Sequence, residues 1–508
     1  MSREKIIEAL EKRPSGLSIS ELAEATGLHR NTVSKIIEEL EKSGEVKMKE
    51  VGKAKIYFLK TYEAIHTTLY GYRGANISIG IGISDLSDGF NAAVSAAKQA
   101  AMQSSKGAMP TFSIVFVSSK YNSQIDKVVQ GINKILGTNW IGCTTDREIN
   151  SILGYSEGTI QVLCIDTPHL YFGVGVSENY RKDPFEEGKK TVIQAINNCP
   201  VDRSKFGTME FIRGSKKEFG EIIKHPPYFI LTFISGLYFD NGVPYPGLEY
   251  EFLEGIKDHL GPFIPIVGAS AVSNVDDYLK NIGENYIFAN GRYYKNTAAV
   301  VCFVVSELYF SFNSSHGYIP KNTPGIITKV SGNGRIIEEI NGRYAVEEYS
   351  KLIGIPIDEV ISKNMIITTQ FPISVVSYDG NLYPIACGIN PDKKTMFTFS
   401  KVFENSVIDI GIYNEEKTIK TMRECIEGAV KGFEDKKPIL LLVFSCAGRR
   451  YMLRDKVHQT IEEVKNHFGD APLFGFYSNG EIGSRRDSTS RYNNFTVTCL
   501  VIFDKLQI

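Results

Sequence analysis

One pattern recurs three times along the 508 residues and constrains the fold more than any other feature. An apolar strand ending in Phe and Ser is followed by a helical stretch, then by a second short strand whose Gly precedes small or polar residues. The first copy runs from Phe112-Ser-Ile-Val-Phe-Val-Ser-Ser119 to Trp140-Ile-Gly-Cys-Thr-Thr-Asp146. The second runs from Tyr228-Phe-Ile-Leu-Thr-Phe-Ile-Ser-Gly236 to Pro265-Ile-Val-Gly-Ala-Ser-Ala271, and the third from Ile439-Leu-Leu-Leu-Val-Phe-Ser-Cys-Ala-Gly448 to Leu473-Phe-Gly-Phe-Tyr-Ser-Asn-Gly-Glu-Ile482. Each copy can bury a strand pair under one helix, such as 125–136 or 457–468, so the fold class is α/β: a mixed body of repeated strand-helix-strand units, not a sandwich.

The first 60 residues read differently. Ile6, Ile7 and Leu10 recur at helical spacing, Ser18 or Ser20 can cap a second helix carrying Leu22 and Ala23, and Thr26-Gly27 makes a turn. A third helix carries Val33, Ile36, Ile37 and Leu40 on one face and ends at Ser43-Gly44. Val46 to Met48 and Ile56 to Phe58 then alternate around Gly52 as a β-hairpin would. This is the winged helix-turn-helix order, and the run Ser20-Glu-Leu-Ala-Glu-Ala-Thr-Gly-Leu-His-Arg-Asn-Thr-Val-Ser-Lys35 resembles bacterial and archaeal regulators of that family. The polar face of the third helix presents Arg30, Asn31, Thr32, Ser34 and Lys35 for the major groove, and the wing adds Lys47, Lys49, Lys53 and Lys55, of which Lys53 and Lys55 are the wing candidates for DNA contact. A winged helix can instead dock protein, which is the alternative for this segment.

Composition excludes several classes. With 57 Lys plus Arg against 58 Asp plus Glu, a net charge of −1 gives no global attraction to nucleic acid or anionic lipid, and within residues 1–60 the count is 12 against 10, so basic character is local. Eight cysteines are scattered singly without a C-x-x-C pair, which supports neither a disulfide framework nor a structural zinc site. The charged start, Met-Ser-Arg-Glu-Lys-Ile-Ile-Glu, lacks the apolar stretch of a signal peptide, and the longest apolar runs, 439–444 and 298–305, are strand-length. We expect a cytoplasmic protein without membrane contact, divided into a winged helix (1–60), a linker (61–75) and two further parts (76–330 and 331–508).

In α/β sheets ligands sit beyond the carboxyl ends of the strands, which makes the strand-end residues the ligand candidates: Ser118, Cys143, Thr144, Ser235, Ser270, Ser445, Cys446, Arg449, Asn479 and Glu481. Arg449 and Glu481 suit a clamp, the guanidinium reading a carboxylate and the carboxylate an amine. Cys446 near Arg449 could be an activated thiol, but no base is visible beside it, so no catalytic residue and no metal ligand is assigned. Gly80-Ile-Gly82 and Gly173-Val-Gly175 lie in alternating strand-like runs without a dinucleotide fingerprint, and the Asn-Gly pairs at 333–334 and 341–342 read as turns.

Residues 445–449, 472–483 and 494–498 are similar to the C-terminal half of the FIST sensory domain, and 142–149 with 157–163 to its N-terminal half. Residues 315–320 and 336–349 resemble the family's joining segment, so the likeness runs from about 80 to 500 in order. The resemblance implies a cytoplasmic small-molecule sensor for ligands such as amino acids or their derivatives, and implies no reaction. It also admits haem as a cofactor, with His316 as the axial imidazole of a gas sensor. Taken together these features lead us to expect a one-component transcriptional regulator, not an enzyme, that binds DNA as a homodimer because operators are usually paired half-sites. The alternative is a signalling scaffold that does not bind DNA.

Overall fold

Backbone pairing places all three sequence copies in one register. The computed structural model describes residues 2–505 except 12, 14–15, 52–53, 60–70, 75–76, 202–227, 275–276, 279, 307, 378–379 and 486–487. At the N-terminus stand α1 (Ser2–Glu11), α2 (Ile19–Thr26), α3 (Arg30–Lys42) and the wing, β1 (Val46–Val51) paired antiparallel with β2 (Ala54–Leu59). Ser18 starts α2 in a capping box: the Glu21 amide donates to Ser18 Oγ at 3.3 Å and the Ser18 amide donates to Glu21 Oε2 at 2.8 Å. Gly27, at φ +67°, ends α2 in the left-handed region. Ile6, Leu10, Leu22, Val33, Ile37, Leu40, Val46 and Tyr57 form the small core beneath.

Of the stretch 61–75 expected as a linker, Gly71–Arg73 is a strand, β3, paired with β4 (Ser78–Ser84), and residues 61–70 and 75 lie outside the described residues. The first unit continues through α4 (Gly89–Ser104), β5 (Phe112–Ser118), α5 (Ile125–Leu136), β6 (Trp140–Thr145), the hairpin β7 (Arg147–Asn150) and β8 (Gly154–Glu157), and β9 (Ile160–Asp166). The second has β10 (Leu170–Ser177), α6 (Pro184–Asn198), β11 (Tyr228–Ser235), a short hairpin of β12 (Tyr238–Asp240) and β13 (Val243–Tyr245), and α7 (Glu249–Leu260). It continues through β14 (Ile266–Ala271), the hairpin β15 (Tyr286–Ala289) and β16 (Arg292–Lys295), and β17 (Ala299–Ser306).

The third unit opens with β18 (Leu308–His316) and is interrupted by an inserted layer. That layer holds β19 (Tyr318–Pro320), β20 (Gly325–Ser331), β21 (Ile336–Ile340), β22 (Arg343–Tyr344), α8 (Ala345–Ile353), α9 (Ile357–Ser362), α10 (Asn364–Gln370), β23 (Ile373–Val376), β24 (Leu382–Pro384), β25 (Cys387–Asn390), β26 (Thr395–Thr398) and β27 (Val407–Tyr413). Asn341 and Gly342, both at positive φ, close the hairpin between β21 and β22. The unit then resumes with α11 (Glu415–Val430), β28 (Pro438–Cys446), α12 (Ala447–Leu453), α13 (Val457–Phe468), β29 (Leu473–Ser478), the hairpin β30 (Glu481–Gly483) and β31 (Arg491–Asn493), and β32 (Thr496–Lys505). The division expected at residue 330 falls inside β20.

In each unit the expected pair is parallel, and a valine or threonine of the first strand faces the glycine of the second: Val115 with Gly142, Thr232 with Gly268, Val443 with Gly475. A β-carbon on any of these glycines would overlap the carbonyl oxygen of its strand partner, so glycine is required for close approach. One residue beyond, Phe116, Phe233 and Phe444 occupy equivalent places and meet at a common centre, with ring centroids 5.4, 5.9 and 6.4 Å apart. Phe474 and Phe476 pack on Phe116 at 5.1 and 4.6 Å, and the inner faces of all three sheets join this core. Aromatic pairs of this kind contribute about 0.5–1.5 kcal/mol each beyond the area they bury.

The hairpins are exchanged. The β7–β8 hairpin of the first unit pairs with β29 of the third, β15–β16 of the second with β6 of the first, and β30–β31 of the third with β14 of the second. Each sheet is therefore completed by a different unit, in a closed cycle. The outer strand β10, and the part of β4 that β3 does not reach, are finished by side-chain amides instead. Gln103 exchanges hydrogen bonds with the backbone of Ile81 and Gln99 with that of Ile83, while Asn198 donates to the Val174 carbonyl and Gln194 accepts from the Val176 amide. Among the described residues no helix is long and apolar enough to cross a membrane.

Phe116→Ala is expected to cost about 3–5 kcal/mol of stability, as deletion of a large buried aromatic ring does. Gly475→Ala is expected to cost about 1–3 kcal/mol or more, since backbone must move to admit the methyl group. Urea unfolding of both variants measures these losses.

Candidate functional site

Two regions carry the candidate residues. On α3 the apolar stripe Val33, Ile37 and Leu40 is buried, while Arg30, Asn31, Thr32 and Lys35 are exposed and Ser34 is half-buried. His29, not singled out from sequence, starts the helix: its Nδ1 accepts from the Asn31 amide at 3.4 Å, so the ring is tied to the end that would enter a groove. Lys55 is exposed on β2, and Lys53 lies outside the described residues.

The ligand candidates separate by strand face. Ser118, Ser235 and Cys446 are equivalent, each two residues beyond the central phenylalanine and on the same side of its strand. Ser118 Oγ accepts from the Lys120 amide at 3.4 Å, whereas the buried Ser235 hydroxyl has no partner. Cys143 points into the central core, where burial pushes its thiol well up, so it acts as packing. Thr144 and Ser270 form a second equivalent pair, but both are engaged: Thr144 Oγ1 accepts from the Tyr286 amide at 2.9 Å, and Ser270 Oγ donates to Glu249 at 2.7 Å. Asn479 donates to the Tyr278 hydroxyl at 2.9 Å and its carbonyl accepts from Tyr492 at 2.9 Å.

Ser445, Cys446, Arg449 and Glu481 do gather, at the end of β28. Arg449 is 2% exposed. Its Nη1 donates to Ser445 Oγ at 2.8 Å and its Nη2 to the Thr418 carbonyl at 2.7 Å, and its Nε is buried without a partner. Both acceptors are neutral, and burial pulls the guanidinium below its usual value. Cys446 is pushed up to about 12 by the same burial, which keeps the thiol protonated and removes the basis for an activated nucleophile.

Glu481 does not complete the clamp. Its Oε1 accepts from Ser478 Oγ at 2.6 Å, and its Oε2 accepts from the Thr496 amide at 3.1 Å and Thr496 Oγ1 at 2.8 Å. Burial pushes it up to about 8, so near neutrality it holds a proton and offers an amine no fixed charge. A twin sits in the first unit. Glu148 accepts from Thr145 Oγ1 and Thr159 Oγ1, both at 2.6 Å, and is likewise raised by burial to about 8. Cross-strand register makes the two equivalent, with Ile287 in the third place. The shared spacing of Thr145-x-x-Glu148 and Ser478-x-x-Glu481 was the available sequence signal for Glu148.

His316 does not fit haem. Its Nδ1 accepts from the Tyr318 amide at 3.3 Å and its Nε2 donates to the Leu382 carbonyl at 3.0 Å, which leaves neither nitrogen for iron, and burial lowers it to about 4. Tyr318, Phe495, Ala386 and Tyr413, drawn from the inserted layer and β31–β32, pack around Cys446. Sequence reading missed them because up to 177 positions separate Tyr318 from Phe495. Among the described residues, open cavities of about 470–690 Å³ are lined by residues other than the ligand candidates.

A winged helix-turn-helix therefore stands at the N-terminus of a three-unit α/β body. Residues 111–343 match the FIST N domain, 345–484 the FIST C domain, and 2–47 the winged helix-turn-helix DNA-binding family. The chain belongs to the FIST family, with an N-terminal winged helix. Comparison with curated protein sequences returns no match. Among solved structures, cyanuric acid hydrolase from A. caulinodans aligns at 8% identity over 84% of this chain and 99% of its own, with a TM-score of 0.32. PurLQS from Thermotoga maritima aligns at 10% identity over 87% of this chain and 76% of its own, with a TM-score of 0.19. Scores this low support no argument about fold or function.

The raised carboxyls carry a pH signature. A carboxyl whose folded pKa lies above its unfolded value stabilises fully below the ordinary carboxylate range, and that stability is lost as pH rises towards about 8. Melting temperature is expected to fall between about pH 4.5 and 8, and Glu148→Gln and Glu481→Gln, which carry no proton to lose, are each expected to flatten that slope.

Proposed function

We propose that the chain is a one-component, cytoplasmic transcriptional regulator in which the FIST body binds a small molecule and sets the DNA affinity of the winged helix, acting as a homodimer on paired half-sites. The observation that carries this reading is the exposed polar face of α3, Arg30, Asn31, Thr32 and Lys35, opposite a fully buried apolar stripe, on the same chain as a sensory body. The ligand class is amino-acid-like, a small molecule whose carboxylate is met by Arg449. Ligand preference for one arrangement over the other would be worth about 1–3 kcal/mol of coupling. Binding without turnover is the reading of the ligand end, supported by the protonated thiol of Cys446.

The test is enrichment of genomic fragments by full-length protein at low and moderate salt. Arg30→Ala with Asn31→Ala is expected to abolish selective enrichment, and Lys55→Ala to weaken binding and reduce the salt slope by about 1, as loss of one phosphate contact does. Folded wild-type protein that enriches no fragment would leave the winged helix as a protein-docking module.

A further inference from the structure

The guanidinium of Arg449 is a buried charge without a counter-charge. No carboxylate lies within ion-pair distance of it among the described residues, its two bonded acceptors are a hydroxyl and a carbonyl, and its Nε–H is unpaired. Leaving a charge in that state is unfavourable, a penalty that a bound anion removes. The Tyr413 hydroxyl is a second buried group without a partner, and Tyr413 lies within electrostatic reach of Arg449. Around these two polar groups the surface is apolar: Tyr318, Phe495 and Ala386 pack with Cys446 and Tyr413. Phe495 is held in the left-handed region at φ +58°, a conformation a bulky side chain adopts only where its surroundings enforce it, and its ring leaves no room for a side chain at Gly448.

We propose that this end of β28 binds a small monocarboxylic acid with an apolar tail and no ammonium group. The carboxylate takes the Arg449 Nε–H and the Tyr413 hydroxyl, and the tail lies against Tyr318, Phe495 and Ala386. This rests on the reading of this end as the ligand site and narrows its ligand class. One guanidinium matches a monoanion, and its planar N–H edge matches a carboxylate. An ammonium group would find no free carboxylate there. Both oxygens of Glu481 are occupied by Ser478 and Thr496, Glu415, whose field reaches Tyr413, is paired with Lys456, and the other charged groups whose fields reach His316 at the neighbouring strand end, Lys417 and Arg485, are cations.

The experiment is thermal unfolding of the full-length protein, without DNA, in sodium butyrate, sodium benzoate, L-2-aminobutyrate, butylamine or inorganic phosphate at matched ionic strength. Butyrate or benzoate is expected to raise the melting temperature saturably, L-2-aminobutyrate to need at least about tenfold more for the same shift, and butylamine and phosphate to give none. Arg449→Gln is expected to abolish the shift. Tyr413→Phe, which keeps the ring, is expected to weaken it about two- to tenfold, and decides the matter if Arg449→Gln fails to fold. No shift from either acid on wild-type protein, an equal or larger shift from aminobutyrate or phosphate, or a full shift in the variants that fold overturns the proposal. DNA enrichment separates the two readings: enrichment without a carboxylate shift removes this ligand class and leaves the regulator, while a carboxylate shift without enrichment does the reverse.

Discussion

The meeting of Phe116, Phe233 and Phe444 is the contact on which the rest of the body depends. Each ring comes from near the carboxyl end of a central strand, and the parallel neighbour of each strand carries glycine opposite the residue before the ring, where the two backbones approach closely. Burial at that centre is complete, so the three inner sheet faces form one core and not three. The helices α4, α5, α6, α7, α11 and α13 cover the outer faces in separate satellite cores, which confines the shared packing to the axis.

Polar residues at the strand ends are consequently surrounded. A hydroxyl or carboxyl placed beyond the phenylalanine layer meets other units rather than water, which is why Glu148 and Glu481 hold protons and Cys446 stays a thiol. Arg449 is the exception that cannot neutralise itself, because a guanidinium keeps its proton under all ordinary conditions. The helix α11 that supplies the Thr418 carbonyl to Arg449 follows directly on the inserted layer, so the arginine is held by the element at which the third unit resumes.

Local pattern made much of this legible. The helices over 125–136 and 457–468, the parallel strand pairs and the winged helix follow from apolar spacing, caps and glycine turns, all of which are decided within a few residues. Partner choice is not decided locally. Nothing in Arg147–Asn150 says that its hairpin pairs with Leu473–Ser478 more than 320 positions later, and the strand at Gly71–Arg73 is fixed by β4 and not by its own residues. The same limit governed the site. Arg449 and Glu481 read as a clamp because their residue types are complementary, yet the carboxylate is claimed by Ser478 and Thr496. His316 read as an axial ligand because the family resemblance admits haem, yet both nitrogens serve the backbone on either side.

The cyclic exchange of hairpins settles what counts as a folding unit in this chain. Each unit lends its hairpin to one neighbour and borrows from the other, so the FIST N and FIST C matches are halves of a single cooperative body. A polypeptide cut between them would leave the edges of β14 and β29 without their borrowed strands. Unpaired, flat and flanked by valine, isoleucine and phenylalanine, such an edge is a template for self-association, and either half produced alone is disposed to aggregate rather than to sense.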